Sequence, residues 1–395
     1  MGIADSLATP RQPDARRARA THPKGMEPGV IYAGGQPSEV VLSVREIPED
    51  EQRWREEITR VTGLSIPDHR QVELSQVRYW GDPGAPYVYC RFVITDRVAE
   101  PEQLDIDDLV RAVKTVRSKK PPVPCNTERA LIVAWADLQT GKVGSRGDTE
   151  SLVDRVLSKL DLLDDYAKQA KCDSAYLIDV GDCVESFENV ASQGFVNDLS
   201  HPEQLRVARR LFTEGAIRLA RRHSKLTCVS VPSNHGRWRR GKDALGRPGD
   251  DYGIEILTAV SDAFKLNPDA FGHVDFVVPD VWQETLALDV YGTILAVTHG
   301  HQVRRPELIP SWWAGQVHGG QPAADADILL TGHFHITRIQ PTGRSAHTGR
   351  AKWWIQAPTL DNGSDWWRLL KGDDSDPALM VFTVDANGWD NMRLL

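Results

Sequence analysis

Ala175-Tyr-Leu-Ile-Asp-Val-Gly-Asp-Cys-Val-Glu185 is the stretch on which the fold turns: an apolar run from Ala175 to Val180, then Gly181, Asp182 and, three residues on, Glu185. The run reads as a short buried strand, and the Gly-Asp pair as a loop that presents a carboxylate where the strand ends. By itself that is no more than a turn. The arrangement recurs on both sides of it. Asp137-Leu-Gln139 follows Ala130 to Ala136, and Ser233-Asn234-His235-Gly236 follows Leu226 to Pro232. Thr298-His299-Gly300-His301 closes the run that begins at Ile294, and Gly332-His333-Phe334-His335 follows Ile328 to Thr331.

Amphipathic segments separate these runs. Thr149 to Ala170 sets Leu152, Val156, Leu160 and Leu163 on one helical face. Ser200 with Glu203 forms a capping box for a helix reaching about Arg222, and Ile254 to Phe264 reads as another. Further strands are expected at Phe276 to Val281, Ile336 to Gln340, Trp353 to Gln356 and Met380 to Val384. Strands alternating with helices predict an α/β fold, a sheet covered by helices, whose strand ends converge on one edge.

Upstream the rhythm differs. Residues 1–35 are polar and aperiodic and read as a disordered or extended tail. Residues 36–124 read as a small α+β accessory domain. It has a helix over Glu49 to Thr62, a hairpin of Val72 to Tyr79 with Tyr87 to Ile94 around Gly81-Asp-Pro-Gly84, and a helix over Asp107 to Arg117. Lys119-Lys-Pro-Pro-Val-Pro124 breaks regular structure and sets the expected boundary, leaving 125–395 as the main domain.

With 47 basic and 55 acidic side chains the net charge is −8, so affinity for a polyanion must come from local patches. One such patch runs from Arg206 to Arg240, where Arg206, Arg209, Arg210, Arg218, Arg221, Arg222, Lys225, Arg237, Arg239 and Arg240 face a single acid, Glu214. Most of these fit the solvated face of a helix. Arg237, Trp238, Arg239 and Arg240 follow His235 directly and interleave an aromatic with cations, the pattern expected of contacts to a nucleic-acid strand. Trp312 and Trp313, in a Gly- and Pro-bearing segment read as a loop, are candidates for base stacking at the rim of a site. The 5 cysteines have no CxxC spacing, which argues against a disulfide framework. No stretch resembles a signal peptide or a bilayer span, so no membrane partner and a cytoplasmic location are expected.

Asp, Asn, Gln and His donors on convergent loops suit manganese, zinc or iron better than calcium. Two ions sharing a carboxylate, for which Asp182 is the candidate, can clamp a phosphoryl group and activate water. At this point the clusters resemble, in their order, the calcineurin-like metallophosphoesterases, with their DxH, GDxx(D/E), GNH(D/E), HG and GHxH motifs. Within that superfamily the chain is similar to phage-encoded members from actinobacterial hosts and to repair-type nucleases. The resemblance implies a sandwich of mixed sheets flanked by helices, and two divalent ions, manganese before zinc, iron or magnesium. It places Asp137, Gln139, Asp182 and His335 on one ion, and Asp182, Asn234, His299 and His333 on the other. His235 would assist the leaving oxygen, and Glu185 and His301 would lie behind the ligands or against the substrate. The implied activity is phosphodiester hydrolysis, most naturally in nucleic acid. A phosphomonoesterase or protein phosphatase, or a weakened centre that only binds nucleic acid or a partner, are the alternatives. A phage origin would put the protein in the host cytoplasm, and the accessory domain is the natural place for a protein partner. Two departures stand out: Gln139 occupies a position where His is usual, and no acid follows His235 to orient it.

Overall fold

The computed structural model describes residues 22–395 apart from 34, 45–46, 48–49, 83–84, 97–105, 117–121, 123, 125, 189–192, 194, 241–242, 347, 364, 366–367, 370–371 and 373–374. The first 21 residues of the expected tail, the tip of the hairpin turn and most of the Lys119–Pro124 break lie outside the described residues. The chain divides into two compact units, Met1–Gln103 and Leu104–Leu395.

The smaller unit comprises β1 (Gly29–Ala33), β2 (Gln36–Val44), α1 (Glu51–Thr62), β3 (Arg70–Asp82) and β4 (Ala85–Asp96). Its strands form an antiparallel sheet in the order β1-β2-β4-β3. Helix α1 starts where the Asp50 carboxylate accepts from the Arg53 N–H, and ends at Gly63 in the left-handed region. Its Ile58 and Trp54 pack on Phe92, Val72 and Leu42 of the sheet. Strand β1 lies inside the segment read as a tail. Its side chains are largely exposed, so the backbone ladder to β2, not an apolar pattern, holds it in place.

The larger unit begins with α2 (Ile106–Lys114), β5 (Ala130–Trp135), α3 (Thr149–Ala170), β6 (Ser174–Asp179), α4 (His201–Ala220) and β7 (Lys225–Ser230). A short hairpin, β8 (Arg239–Arg240) with β9 (Asp243–Ala244), precedes α5 (Tyr252–Lys265), α6 (Pro268–Phe271) and β10 (Val274–Val277). The second half has β11 (Thr285–Val290), β12 (Thr293–Thr298), α7 (Ile309–His318), β13 (Ile328–Thr331), β14 (Arg338–Arg344), β15 (Ala351–Gln356), β16 (Met380–Asp385) and β17 (Gly388–Leu394). The unit starts earlier than the proline-rich break suggests, because Leu109 and Val113 of α2 are buried in its core and Asn267 Nδ2 donates to the Val113 carbonyl.

Two mixed sheets, β10-β7-β6-β5-β16-β17 and β11-β12-β13-β15-β14, make up this unit. Strand β5 shows how they are layered. Ala130, Ile132 and Ala134 point to one face, where they meet Leu295, Val297, Ile328, Leu330 and Ile355 of the second sheet. Leu131, Val133 and Trp135 point to the other, where α3, α4 and α5 supply Leu160, Phe212, Ala216 and Val260. Burial on both faces is why β5 reads as a continuous apolar run. On the outer face of the second sheet α7 packs Ile309 and Trp313 against Leu329 and Trp354. Trp313 is therefore a core residue whose Nε1 donates to the Ala323 carbonyl, which removes the base-stacking role drawn for it from a loop reading, while Trp312 is partly buried against the same cluster. The segment read as a loop is instead helix α7, with Pro310 in its first turn, where a missing N–H costs nothing. Among the described residues no helix is long and apolar enough to cross a membrane.

Candidate metal centre

The parallel strands β5, β6 and β7 of the first sheet and β12, β13 and β15 of the second all discharge their C-terminal ends into loops that carry polar side chains. The first two loops run on beside each other, with Asp137 N–H donating to the Gly181 carbonyl (3.1 Å) and Gln139 N–H to that of Asp182 (2.8 Å). Asp137, Gln139, Asp182, His333 and His335 all have positive φ, between 41° and 72°. Non-glycine residues adopt that conformation at a cost, and clustering it here aims side chains of adjacent residues into one space.

Around Asp182 the geometry is tight. His299 is fully buried, and its Nδ1 lies 2.9 Å from the Val180 carbonyl, an acceptor, so a ring proton resides on Nδ1. Its Nε2 then faces Asn234 Oδ1 at 3.0 Å and Asp182 Oδ2 at 3.1 Å. Asp182 Oδ2 is buried and has no hydrogen-bond partner of acceptable geometry. Ligand atoms of Asp182, His299 and His333 lie within 4.8 Å of one another. Carboxylate, amide oxygen and imidazole are the donors a divalent transition ion takes, and such an ion would displace the proton that the metal-free His299 Nε2 carries between these oxygens.

Asp182 Oδ1 accepts from the His235 N–H at 2.9 Å. The His235 ring is oriented from its other side, with Nδ1 2.7 Å from the Glu185 carbonyl and 3.3 Å from Glu185 Oε2. Gln193 Nε2 in turn donates to the Glu185 carbonyl and carboxylate. The orienting acid missing after His235 in sequence is thus present in space as Glu185. Electrostatics follow the geometry. Burial opposes ionisation of His299 and His235, yet the Asp182 carboxylate, with Glu185 for His235, pushes both up to about 9. Burial works against Asp182 too, but His299 and His235 hold it well below the usual carboxylate range. His301 is driven down to about 3 by burial and by neighbouring His299 and Arg237.

A second group lies beside the first. His335 Nε2 is 3.4 Å from Asp137 Oδ1 and 3.3 Å from Gln139 Nε2, and Asp137 also accepts from the His333 N–H. Two residues that sequence reading missed join it. Lys142 Nζ lies 2.6 Å from both Gln139 Oε1 and Asp361 Oδ2, and His335 Nδ1 is 3.6 Å from that same carboxylate oxygen. Asp179 and Asp251, also unremarked in sequence, brace the loops from behind. Asp179 accepts from Gly181 N–H and Ser230 Oγ, and Asp251 from the N–H groups of Ser233 and Gly253.

The basic stretch divides. Arg218 and Arg222 pair with Asp161, Asp164 and Glu214, so these two charges of the helical part are neutralised within the fold. Arg237 is bound to Glu284 and faces His301 Nε2 at 3.0 Å, which commits it to the protein instead of leaving it free for an anion. Arg239 donates to the Asn234 carbonyl at 3.2 Å. Trp238 is 56% exposed, and Arg240 is exposed on β8.

No family model matches the chain, and no curated protein matches it. Solved structures give weak likenesses. A Streptococcus pneumoniae protein described as a predicted phosphoesterase is 12% identical, with 65% of this chain and 84% of that one covered and a TM-score of 0.26. A purple acid phosphatase from yellow lupin seeds is 11% identical, covering 80% and 64%, TM-score 0.30. A phosphopantetheinyl hydrolase from Mycobacterium tuberculosis is 14% identical, covering 62% and 93%, TM-score 0.25. TM-scores of this size carry no argument, and the chemistry has to stand on the side chains themselves.

Proposed function

We propose that the chain is a metal-dependent phosphoester hydrolase of the calcineurin-like type, acting on phosphodiesters and preferentially on nucleic acid. The observation that carries this is the convergence of Asp182 Oδ2 and Asn234 Oδ1 on Nε2 of the buried His299, at 3.1 and 3.0 Å. Asp182, Asn234, His299 and His333 would hold a divalent ion there, manganese in first place, which supplies positive charge for the phosphoryl oxygens and a lowered pKa for water.

The protein's own groups do the rest. With Nδ1–H spent on the Glu185 carbonyl, His235 turns Nε2 toward the centre, 3.9 Å from Asp182 Oδ2. As water forms its new bond to phosphorus and the ester P–O bond breaks, the departing alkoxide takes the proton from His235 Nε2. Replacing His235 with alanine is expected to lower kcat by roughly 10²–10⁴-fold, the usual worth of a positioned acid, with bound manganese unchanged by elemental analysis. Equal turnover in that variant would remove His235 from the chemistry.

Nucleic acid is favoured over a small monoester by the exposed Trp238 beside Arg239 and Arg240, a surface on which a base can stack while the phosphates are held. The deciding experiment compares a bis-nitrophenyl and a mono-nitrophenyl phosphate, then single-stranded DNA, duplex DNA and RNA, all with manganese. Faster cleavage of the diester and of a polynucleotide is expected. A preference for the monoester would replace the nuclease reading with a phosphatase one.

A further inference from the structure

The side chains that sequence reading assigns to a second cation do not fit one. Gln139 turns its carbonyl oxygen to Lys142 Nζ, 2.6 Å away, and its amide nitrogen to His335 Nε2, 3.3 Å away. An ammonium only donates, so flipping the amide would set two donors against each other. The orientation is fixed, and the side chain offers His335 hydrogens instead of a lone pair. Lys142 is 14% exposed and Asp361, its other partner at 2.6 Å, is 1% exposed. Asp361 also faces His335 Nδ1 at 3.6 Å, while Asp137 faces the Nε2 of the same ring at 3.4 Å. The Asp137–His335–Asp361 group therefore has a fixed positive charge built into it. A divalent ion placed among these side chains would be repelled by that charge at short range, in surroundings that screen poorly.

We propose that the Lys142 ammonium stands in for the second cation, so that the centre takes one divalent ion, at Asp182, Asn234, His299 and His333. The inference rests on the metal-dependent reading above and narrows it. Lys142 acts as a positioning residue. It neutralises Asp361 and offsets Asp137, and it holds Gln139 and through it His335 in place, without touching the reacting atoms.

The test is a manganese count on the full chain by calorimetric titration, with Mn²⁺ electron paramagnetic resonance on the loaded protein. Wild type is expected to take one ion per chain with the spectrum of an isolated Mn²⁺. Lys142→Arg, which keeps the charge, is expected to do the same. The double variant Lys142→Met with Gln139→His, which removes the charge and restores an imidazole donor, is expected to take two ions with exchange-coupled lines. Two coupled ions in wild type overturn the proposal while leaving metal-dependent hydrolysis intact, and that reading needs no variant to fold. A single ion in both wild type and a folded double variant shows that Lys142 is not what excludes the second. No bound manganese in any form overturns this proposal together with the reading it rests on.

Discussion

Asp182→Asn is expected to abolish metal binding and lower turnover by roughly 10²–10³-fold or more, the loss seen when one preorganised electrostatic partner is removed from an active site. The substitution is nearly isosteric, and its carbonyl oxygen can still accept from the His235 N–H, so loop geometry is preserved. What changes is the other atom. An amide nitrogen replaces Oδ2, turning a donor N–H toward His299 Nε2, 3.1 Å away, and the charge that attracts a cation disappears. His235 and His299 also lose the carboxylate that favours their charged forms. The readout is a thermal shift. An ion that binds only the folded state stabilises it by about 2.7 kcal/mol at 100 times its Kd, so manganese should raise the Tm of wild type and leave the variant where it was. A variant that keeps the shift would place the ion elsewhere and dissolve the proposed centre.

Much of this centre is legible in the sequence because its parts are local. A strand buried on both faces announces itself as an apolar run, as Ala130–Trp135 does, and a polar residue just past its end is automatically at the sheet edge. The clusters at Asp182, Asn234, His299 and His333 needed nothing more. Partners that meet only through the fold leave no local trace. Lys142 and Asp361 are 219 positions apart, and Glu185 reaches His235 across 50. Lys142 looks like any loop lysine until its neighbours are seen. The same holds for backbone conformation, since nothing in Asp137 or His335 as residue types signals a positive φ. Strand β1 escaped for a different reason. With its side chains mostly in solvent it carries no burial pattern, and only its pairing with β2 makes it a strand. Residues in the basic stretch were visible, but their pairing was not: Arg218, Arg222 and Arg237 are spent on acids of distant segments.

Gly181→Ala, a single methyl group that adds and removes no polar atom, is expected to damage both stability and the centre. Gly181 has φ of +106°, in the region where a side chain costs about 1–2 kcal/mol. The added Cβ would also stand 2.7 Å from His299 Nδ1 and 2.7 Å from Ser233 Cβ, closer than such atoms approach. Neither neighbour has room to yield. His299 is fully buried with Nδ1 bonded to the Val180 carbonyl, and Ser233 is pinned through its backbone to Asp251. Overpacking of this kind costs about 1–3 kcal/mol, and for a unit of this size each kcal/mol lowers the Tm by roughly 2–4 °C. Relief can come only by moving His299, Ser233 or the 181–182 peptide, and each of these carries or adjoins a proposed ligand. Metal affinity should therefore fall at least about tenfold, as when a ligand loses its support, in the protein that remains folded. Calorimetric titration of the folded variant with manganese is the check, alongside Gly292→Ala as a control with positive φ but open space around its Cβ. The control should lose stability and keep the ion. If Gly181→Ala binds manganese as tightly as the control does, His299 is not held where the metal needs it.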